Sequence, residues 1–188
     1  MEKLKHIDLY TDGACSQNGT WIGGWGAVLI YGEHEMQISG YKENTTNNQM
    51  ELLAVIEGLK RLKEKVDVTI YTDSAYVCNA FTNNWLENWQ NNGWKTATNK
   101  EVQNKQLWLE LLDLCSKHNV SWQKVRGHST NKYNNLCDKL ATTEIKNHTP
   151  QPDENTSDNQ SDLIQNENAM TDDNRKNISL SNNNDTNK

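Results

Sequence analysis

Two short stretches of this chain end in the same way, and that coincidence limits the folds open to it. His6-Ile7-Asp8-Leu9-Tyr10-Thr11-Asp12-Gly13 alternates apolar and polar residues with the period of a strand, then stops at a carboxylate followed by glycine. Val68-Thr69-Ile70-Tyr71-Thr72-Asp73-Ser74 is again an apolar strand that ends Thr-Asp-small. If the two strands are parallel neighbours, Asp12 and Asp73 leave the sheet at one edge, where open α/β sheets take their ligands. Two carboxylates side by side repel by on the order of 4 kcal/mol in a partly hydrated site, unless a cation lies between them. The pair points to a metal.

The rest of the chain supplies the elements around that edge. After a turn at 14–19, residues 25–31 and 35–43 form two further strands joined by Gly32-Glu33, a link short enough to imply an antiparallel meander. The glycines at 23, 24 and 26 precede a strand rather than open a helix, which favours a bulge or close crossing over a phosphate-cradling loop. Thr46-Asn47-Asn48-Gln49 matches a capping box, followed by Leu52, Val55, Ile56, Leu59 and Leu62 at helical spacing. Glu51 sits in the first turns of that helix, where a glutamate ordinarily complements the dipole. Ser74 is the expected cap of a short helix over 74–81. Thr98-Asn99-Lys100-Glu101 reads as a second capping box, leading a helix with Leu107, Trp108, Leu111, Leu114 and Cys115 inward. Residues 120–125 form the last strand, ending at Arg126-Gly127-His128, and a final helix over 131–146 carries Asp138. Between 85 and 94 lie Trp85, Trp89 and Trp94 among five asparagines and a glutamine at 83–92. Helical spacing makes core packing the simple reading of Trp85 and Trp89; the polar surroundings equally allow an exposed aromatic platform for bases or sugars.

Composition divides the chain near residue 147. Residues 147–188 hold three of the 19 Lys/Arg and eight of the 25 Asp/Glu, net −5, which leaves residues 1–146 at −1. With six apolar residues in its forty-two and no aromatic one, this acidic, Asn/Asp-rich tail cannot bury enough surface to offset chain entropy and is expected to be disordered. A weak protein contact through its apolar pairs, Leu163-Ile164 and Ile178/Leu180, is the one partner role open to it. The folded part, 1–146, is near neutral and would hold a polyanion only through a local patch helped by bound cations. Four cysteines, at 15, 78, 115 and 137, form no C-x-x-C pair and are expected to stay reduced. No apolar leader or span is present, so a cytoplasmic location without membrane contact is expected.

The element order and the acids at 12, 51, 73 and 138 resemble ribonuclease H of the cellular type 1 family. The resemblance rests on Tyr10-Thr11-Asp12-Gly13-Ala14-Cys15, Thr45-Thr46-Asn47-Asn48-Gln49-Met50-Glu51-Leu52 and Ile70-Tyr71-Thr72-Asp73-Ser74-Ala75-Tyr76-Val77. It continues through Gly93-Trp94-Lys95-Thr96-Ala97, Val125-Arg126-Gly127-His128 and Asn134-Asn135-Leu136-Cys137-Asp138-Lys139-Leu140-Ala141, and spans residues 4–146. It implies an α/β ribonuclease H-like fold: a five-stranded mixed sheet flanked by helices, with the first three strands an antiparallel meander and strands 1, 4 and 5 parallel. It also implies a monomeric endoribonuclease that hydrolyses the RNA strand of RNA–DNA hybrids, largely independently of sequence, leaving 5′-phosphate and 3′-hydroxyl ends. Two Mg²⁺ ions, with Mn²⁺ as a substitute, would be held by Asp12, Glu51, Asp73 and Asp138, with Asp12 bridging. Asp138 would support the ion that activates water, and Glu51 and Asp73 the ion at the leaving oxygen. His128 would assist proton transfer or product departure. Asn18, Asn47 and Asn48 match groove-contacting amides, Thr46 a residue near a DNA phosphate, and Asn134, Trp85, Trp89, Trp94 and Lys95 complete the expected substrate-binding set.

The chemistry fits these residue types on its own terms. Phosphodiester hydrolysis needs an activated water and neutralisation of the leaving oxygen, and a pair of hard cations held by carboxylates supplies both. A non-catalytic hybrid-binding module gains nothing from four clustered acids facing phosphates. One departure has a measurable consequence. Segment 85–95 corresponds to the family's basic handle, yet it contains Lys95 as its sole cation and Glu87 against it. Fewer cations release fewer counterions, so a plot of log hybrid affinity against log salt is predicted to be shallower than for a basic-handled relative; equal slopes contradict this.

Overall fold

The computed structural model describes residues 3–16, 21–127 and 130–150. The sheet has the order β3-β2-β1-β4-β5, built from β1 (His6–Cys15), β2 (Gly23–Tyr31), β3 (His34–Lys42), β4 (Asp67–Thr72) and β5 (Asn119–Lys124). β1 pairs antiparallel with β2, which pairs antiparallel with β3; β1 runs parallel to β4, and β4 to β5. This is the expected five-stranded mixed sheet. Its register sets Thr11 beside Thr72, so the chain positions that follow, Asp12 and Asp73, emerge together at the same edge.

Among the described residues five helices cover the sheet: α1 (Asn47–Leu59), α2 (Ala75–Thr82), α3 (Trp85–Asn91), α4 (Lys105–Ser116) and α5 (Lys132–His148). The main core is one cluster that joins Leu9, Val68 and Ile70 of the sheet to Leu52, Val55, Ile56 and Leu59 of α1. Val77 and Ala80 of α2 and Trp108 and Leu111 of α4 complete it. The other face of the meander is covered by α5. There the early glycines find their role: a Cβ on Gly24 would collide with the carbonyl of Ala141, and one on Gly26 would lie 2.5 Å from that of Cys137. The close crossing expected at these glycines is thus made by a helix rather than by another strand.

Two local expectations are corrected. Thr98-Asn99-Lys100-Glu101 does not start a helix. Lys95 and Glu101 form an isolated antiparallel bridge, the Thr96 hydroxyl accepts from the Lys100 N–H at 3.2 Å, and Asn99 adopts φ +61°. A tight turn satisfies those backbone groups, and α4 begins later, after Asn104. The Thr46 cap is present, its hydroxyl accepting from the Gln49 N–H, but the Gln49 side chain turns away from the cap. It accepts from Thr45 Oγ1 at 2.8 Å and donates to Asn104 at 3.1 Å, tying α1 to α4. The final helix runs two residues further than 146, with His148 stacked on Tyr41 and the Thr149 hydroxyl closing on the Ile145 carbonyl. All four cysteines are free thiols. Among the described residues no helix is long and apolar enough to cross a membrane.

The crossing of α5 over β2 yields a prediction. Gly26→Ala forces a methyl against the α5 backbone and is expected to lower stability by about 1–3 kcal/mol, as overpacked sites do, measured by urea unfolding; an unchanged midpoint contradicts it.

Candidate active site

Four elements deliver the acids to one place, each for a reason visible locally. Asp12 lies on β1 opposite Gly26. The residue after it has to be glycine, because a Cβ on Gly13 would strike the backbone of Met50 and Glu51. That close approach lets the early turns of α1 press against the strand and sets Glu51 beside Asp12. On β4 the Thr72 hydroxyl accepts from the Ser74 N–H at 3.1 Å, and the Ser74 hydroxyl caps α2 by accepting from Val77 at 3.3 Å. The chain therefore turns immediately after Asp73 and leaves that carboxylate at the lip of the sheet. On α5 the Asn131 side chain caps the helix by accepting from the N–H groups of Tyr133 and Asn134 at 3.1 and 3.0 Å. Asn134 and Asp138 then project from the same face, one turn apart.

Asp12, Glu51 and Asp73 each offer an oxygen, and these lie within 4.8 Å of one another. Asp138 joins them in lining a cavity of about 270 Å³ together with Gly13, Asn47, Asn134 and Asn135. Asp12 and Glu51 are only 9% and 6% exposed, so water screens them poorly. Burial, with Asp73 and then Asp138 adding repulsion against the pull of the Gly13 N–H, pushes the Asp12 carboxyl up to about 7. Burial first, then Asp12 and Asp73, hold Glu51 well above the usual carboxylate range. The compensating donors are few: the Gly13 N–H reaches Asp12 at 2.8 Å, and the Asn47 amide reaches Glu51 at 3.5 Å. Glu51 Oε2 is buried with no hydrogen-bond partner among the described residues.

A cavity rich in hard oxygen acceptors, with one buried carboxylate oxygen left orphaned, fits a hard divalent cation such as Mg²⁺. It does not fit a soft thiophilic metal, because the one thiol close enough to repel Asp12 and Asp73, Cys137, is itself buried and held protonated by that burial.

The other sequence-derived candidates fall in several places. Thr46 is the exposed cap of α1, Asn47 lines the cavity rim and Asn48 is half-buried beside it. Asn134 is 1% exposed and donates through Nδ2 to Asp73 at 3.1 Å. Trp85, Trp89 and Trp94 are half-buried and packed against the main core, with Trp89 edge-on to Trp108 at 5.7 Å, while Lys95 is exposed. Asn18 and His128 lie outside the described residues.

Some participants were not singled out from the sequence. A Cβ on Gly127 would sit 2.6 Å from Asp73 Oδ2, so the loop after β5 passes directly over that carboxylate, and the glycine before His128 was the available signal. Tyr10 and Tyr71 stack at 4.4 Å, with Tyr133 against Tyr10 at 5.0 Å. The repeated Tyr-Thr-Asp at 10–12 and 71–73 foreshadowed that stack, since Tyr10 and Tyr71 are register partners on parallel neighbours and share a face.

Known proteins bear on this geometry. The family model described as RNase H matches residues 4–146. Curated proteins named ribonuclease H are similar throughout that region. One from Acetivibrio thermocellus is 57% identical over 143 residues, covering 76% of this chain and 97% of its own. Another from Chlorobium luteolum is 53% identical over 142 residues, with 76% and 97% covered. Among solved structures, LC9-RNase H1, described as a type 1 RNase H with the type 2 active-site motif, superposes with a TM-score of 0.70 at 27% identity. That match covers 79% of this chain and 76% of the other.

The raised Asp12 pKa sets a pH dependence. With the folded-state value near 7 and an ordinary value of 3.8, the native state binds more protons than the unfolded one between those limits. Metal-free protein therefore loses stability as pH rises from about 4 to 7. Asp12→Asn is predicted to flatten that decline and to raise the melting temperature in EDTA at pH 8 by about 2–5 °C. Unfolding scans at pH 5 and pH 8 check this; an undiminished pH dependence in the variant contradicts it.

Proposed function

The chain belongs to the ribonuclease H family, and on that premise we propose that it hydrolyses the RNA strand of RNA–DNA hybrids with little regard to sequence, leaving 5′-phosphate and 3′-hydroxyl ends. The observation that carries this reading is the triad of Asp12, Glu51 and Asp73, with oxygens within 4.8 Å at one edge of the sheet in a cavity that Asp138 completes. Two Mg²⁺ ions held by these four acids, or Mn²⁺ in their place, would supply the Lewis acidity that activates water and neutralises the leaving oxygen.

The protein's own groups have separable tasks. Asp12 and Glu51, buried and short of donors among the described residues, give up protons to take a cation rather than share charge with solvent. The Asn47 amide steadies Glu51 and, with Asn48 and the exposed Thr46, presents a polar rim to the duplex. Distinguishing RNA from DNA requires a contact to the 2′-hydroxyl, the role proposed for this rim together with Glu51. Contacts of that kind position a duplex without reading its bases, which supports cleavage independent of sequence. Asn18 and His128 keep the roles the family resemblance gives them, a groove contact and assistance to proton transfer or product departure. The Trp85, Trp89 and Trp94 surface with Lys95 is the proposed bearing for the DNA strand. In this reading residues 1–146 act as a monomeric catalytic domain in the cytoplasm, and residues 147–188 are an appended acidic tail.

Cleavage of an end-labelled RNA strand tests the proposal, with the strand offered alone, paired with RNA and paired with DNA, in Mg²⁺ or EDTA. Cutting of the hybrid alone, dependent on Mg²⁺ and reduced by at least about 10³-fold in Asp12→Asn, is expected for loss of a group that acts only through the reacting centre. Tight hybrid binding without cleavage in Mg²⁺ or Mn²⁺ overturns it.

A further inference from the structure

Asn134 is placed unlike an ordinary groove contact. It is 1% exposed, lies on the wall of the acidic cavity and donates from Nδ2 to Asp73 Oδ2 at 3.1 Å. Charge fixes which way the amide points, since a carbonyl oxygen in that position would face a carboxylate oxygen. The other amide atom, Oδ1, is then an acceptor, and among the described residues it is buried without a hydrogen-bond partner; Glu51 Oε2, lining the same cavity, shares that condition. An unpaired buried acceptor is a cost that the fold alone does not require at this position.

The residue is anchored from two sides. Asn131 caps its backbone N–H. The ring of the preceding Tyr133 rests on Tyr10, 5.0 Å between centroids, and Tyr10 stacks on Tyr71 with 9° between planes. Tyr10 and Tyr71 each precede an aspartate of the triad by two residues, so the stack ties the start of α5 to both strands that carry those acids.

We infer that Asn134 is a positioning residue: its side-chain N–H fixes the Asp73 carboxylate for cation binding, and the Tyr133–Tyr10–Tyr71 stack holds α5 where that contact forms. This rests on the ribonuclease reading, and its test separates the two. In the full chain, Asn134→Leu keeps the branching and heavy-atom count of the side chain and removes both polar atoms, while Tyr133→Ala and Tyr133→Phe remove and retain the ring. Mg²⁺ affinity is read by calorimetry without substrate, kcat and KM on a hybrid, and melting temperature in EDTA. For Asn134→Leu the Mg²⁺ dissociation constant is expected to rise about 10–100-fold, as for other groups that orient a ligand from behind. Its kcat falls at fixed Mg²⁺ and recovers partly as Mg²⁺ is raised, KM stays unchanged, and the melting temperature in EDTA is no lower than that of the unsubstituted chain. Tyr133→Ala follows in the same direction, and Tyr133→Phe retains the original Mg²⁺ affinity. Unchanged Mg²⁺ affinity in Asn134→Leu, with a cleaving parent, overturns the inference and leaves the ribonuclease reading standing. If Asn134→Leu fails to fold, equal Mg²⁺ affinity in the two Tyr133 variants overturns it instead. A parent chain that neither binds Mg²⁺ nor cleaves removes both.

Discussion

The mutual repulsion of buried carboxylates is the interaction on which the architecture turns. Asp12 and Glu51 are both nearly enclosed, Asp73 is within reach of each, and few donors offset them. Left to itself such a cluster would spread apart or take up protons, which is what the raised Asp12 and Glu51 values describe. It cannot spread apart, because each acid is fixed to an element that the main core immobilises, and without a cation it is left to take up protons. β1 and β4 are central strands, and α1 is buried along Leu52, Val55, Ile56 and Leu59. The packing energy of the whole domain is set against a local electrostatic conflict that a bound cation would resolve.

That division explains the placement of small residues. Gly13 admits the α1 backbone, Gly24 and Gly26 admit α5, and Gly127 admits the loop above Asp73. Each removes a side chain where an acid-bearing or acid-facing segment must come close. The domain thus gains a preorganised acceptor site, and the charged groups do not have to move when the ligand arrives. The comparatively neutral Trp85–Lys95 segment shows the complementary side: its rings are invested in packing against Trp108 and its neighbours, and little positive charge is left for long-range attraction of a polyanion.

Much of this was legible in the sequence, for identifiable reasons. Alternation in 6–12 and 68–73 specified two strands whose ends match; their parallel pairing was a condition of that reading, implied by the family resemblance and found in the sheet, and it brings Asp12 and Asp73 to one edge. Glu51 and Asp138 were legible only through the family resemblance, since a glutamate early in a helix and an aspartate in its middle are ordinary. The misread capping box at Thr98 shows the limit of local signals. The same four residue types satisfy their backbone groups equally well in a turn, and the bridge from Lys95 to Glu101 decided the matter. Asn134 was legible as a site residue through the family but not as a partner of Asp73, because that contact joins residues far apart in the chain and depends on the pitch of α5 over the sheet.

The central claim is that this cluster is held in a state that a divalent cation completes. Because burial and mutual repulsion push the Asp12 carboxyl up to about 7 and hold Glu51 above the usual carboxylate range, cation binding near neutrality must displace protons from the cluster. Titration of metal-free protein with Mg²⁺ at pH 6.5, in two buffers of different ionisation enthalpy, counts those protons directly. Release of about one proton or more per site, declining as the pH is raised, is the predicted result. Binding heats that are identical in the two buffers, or no binding at all, would contradict the account.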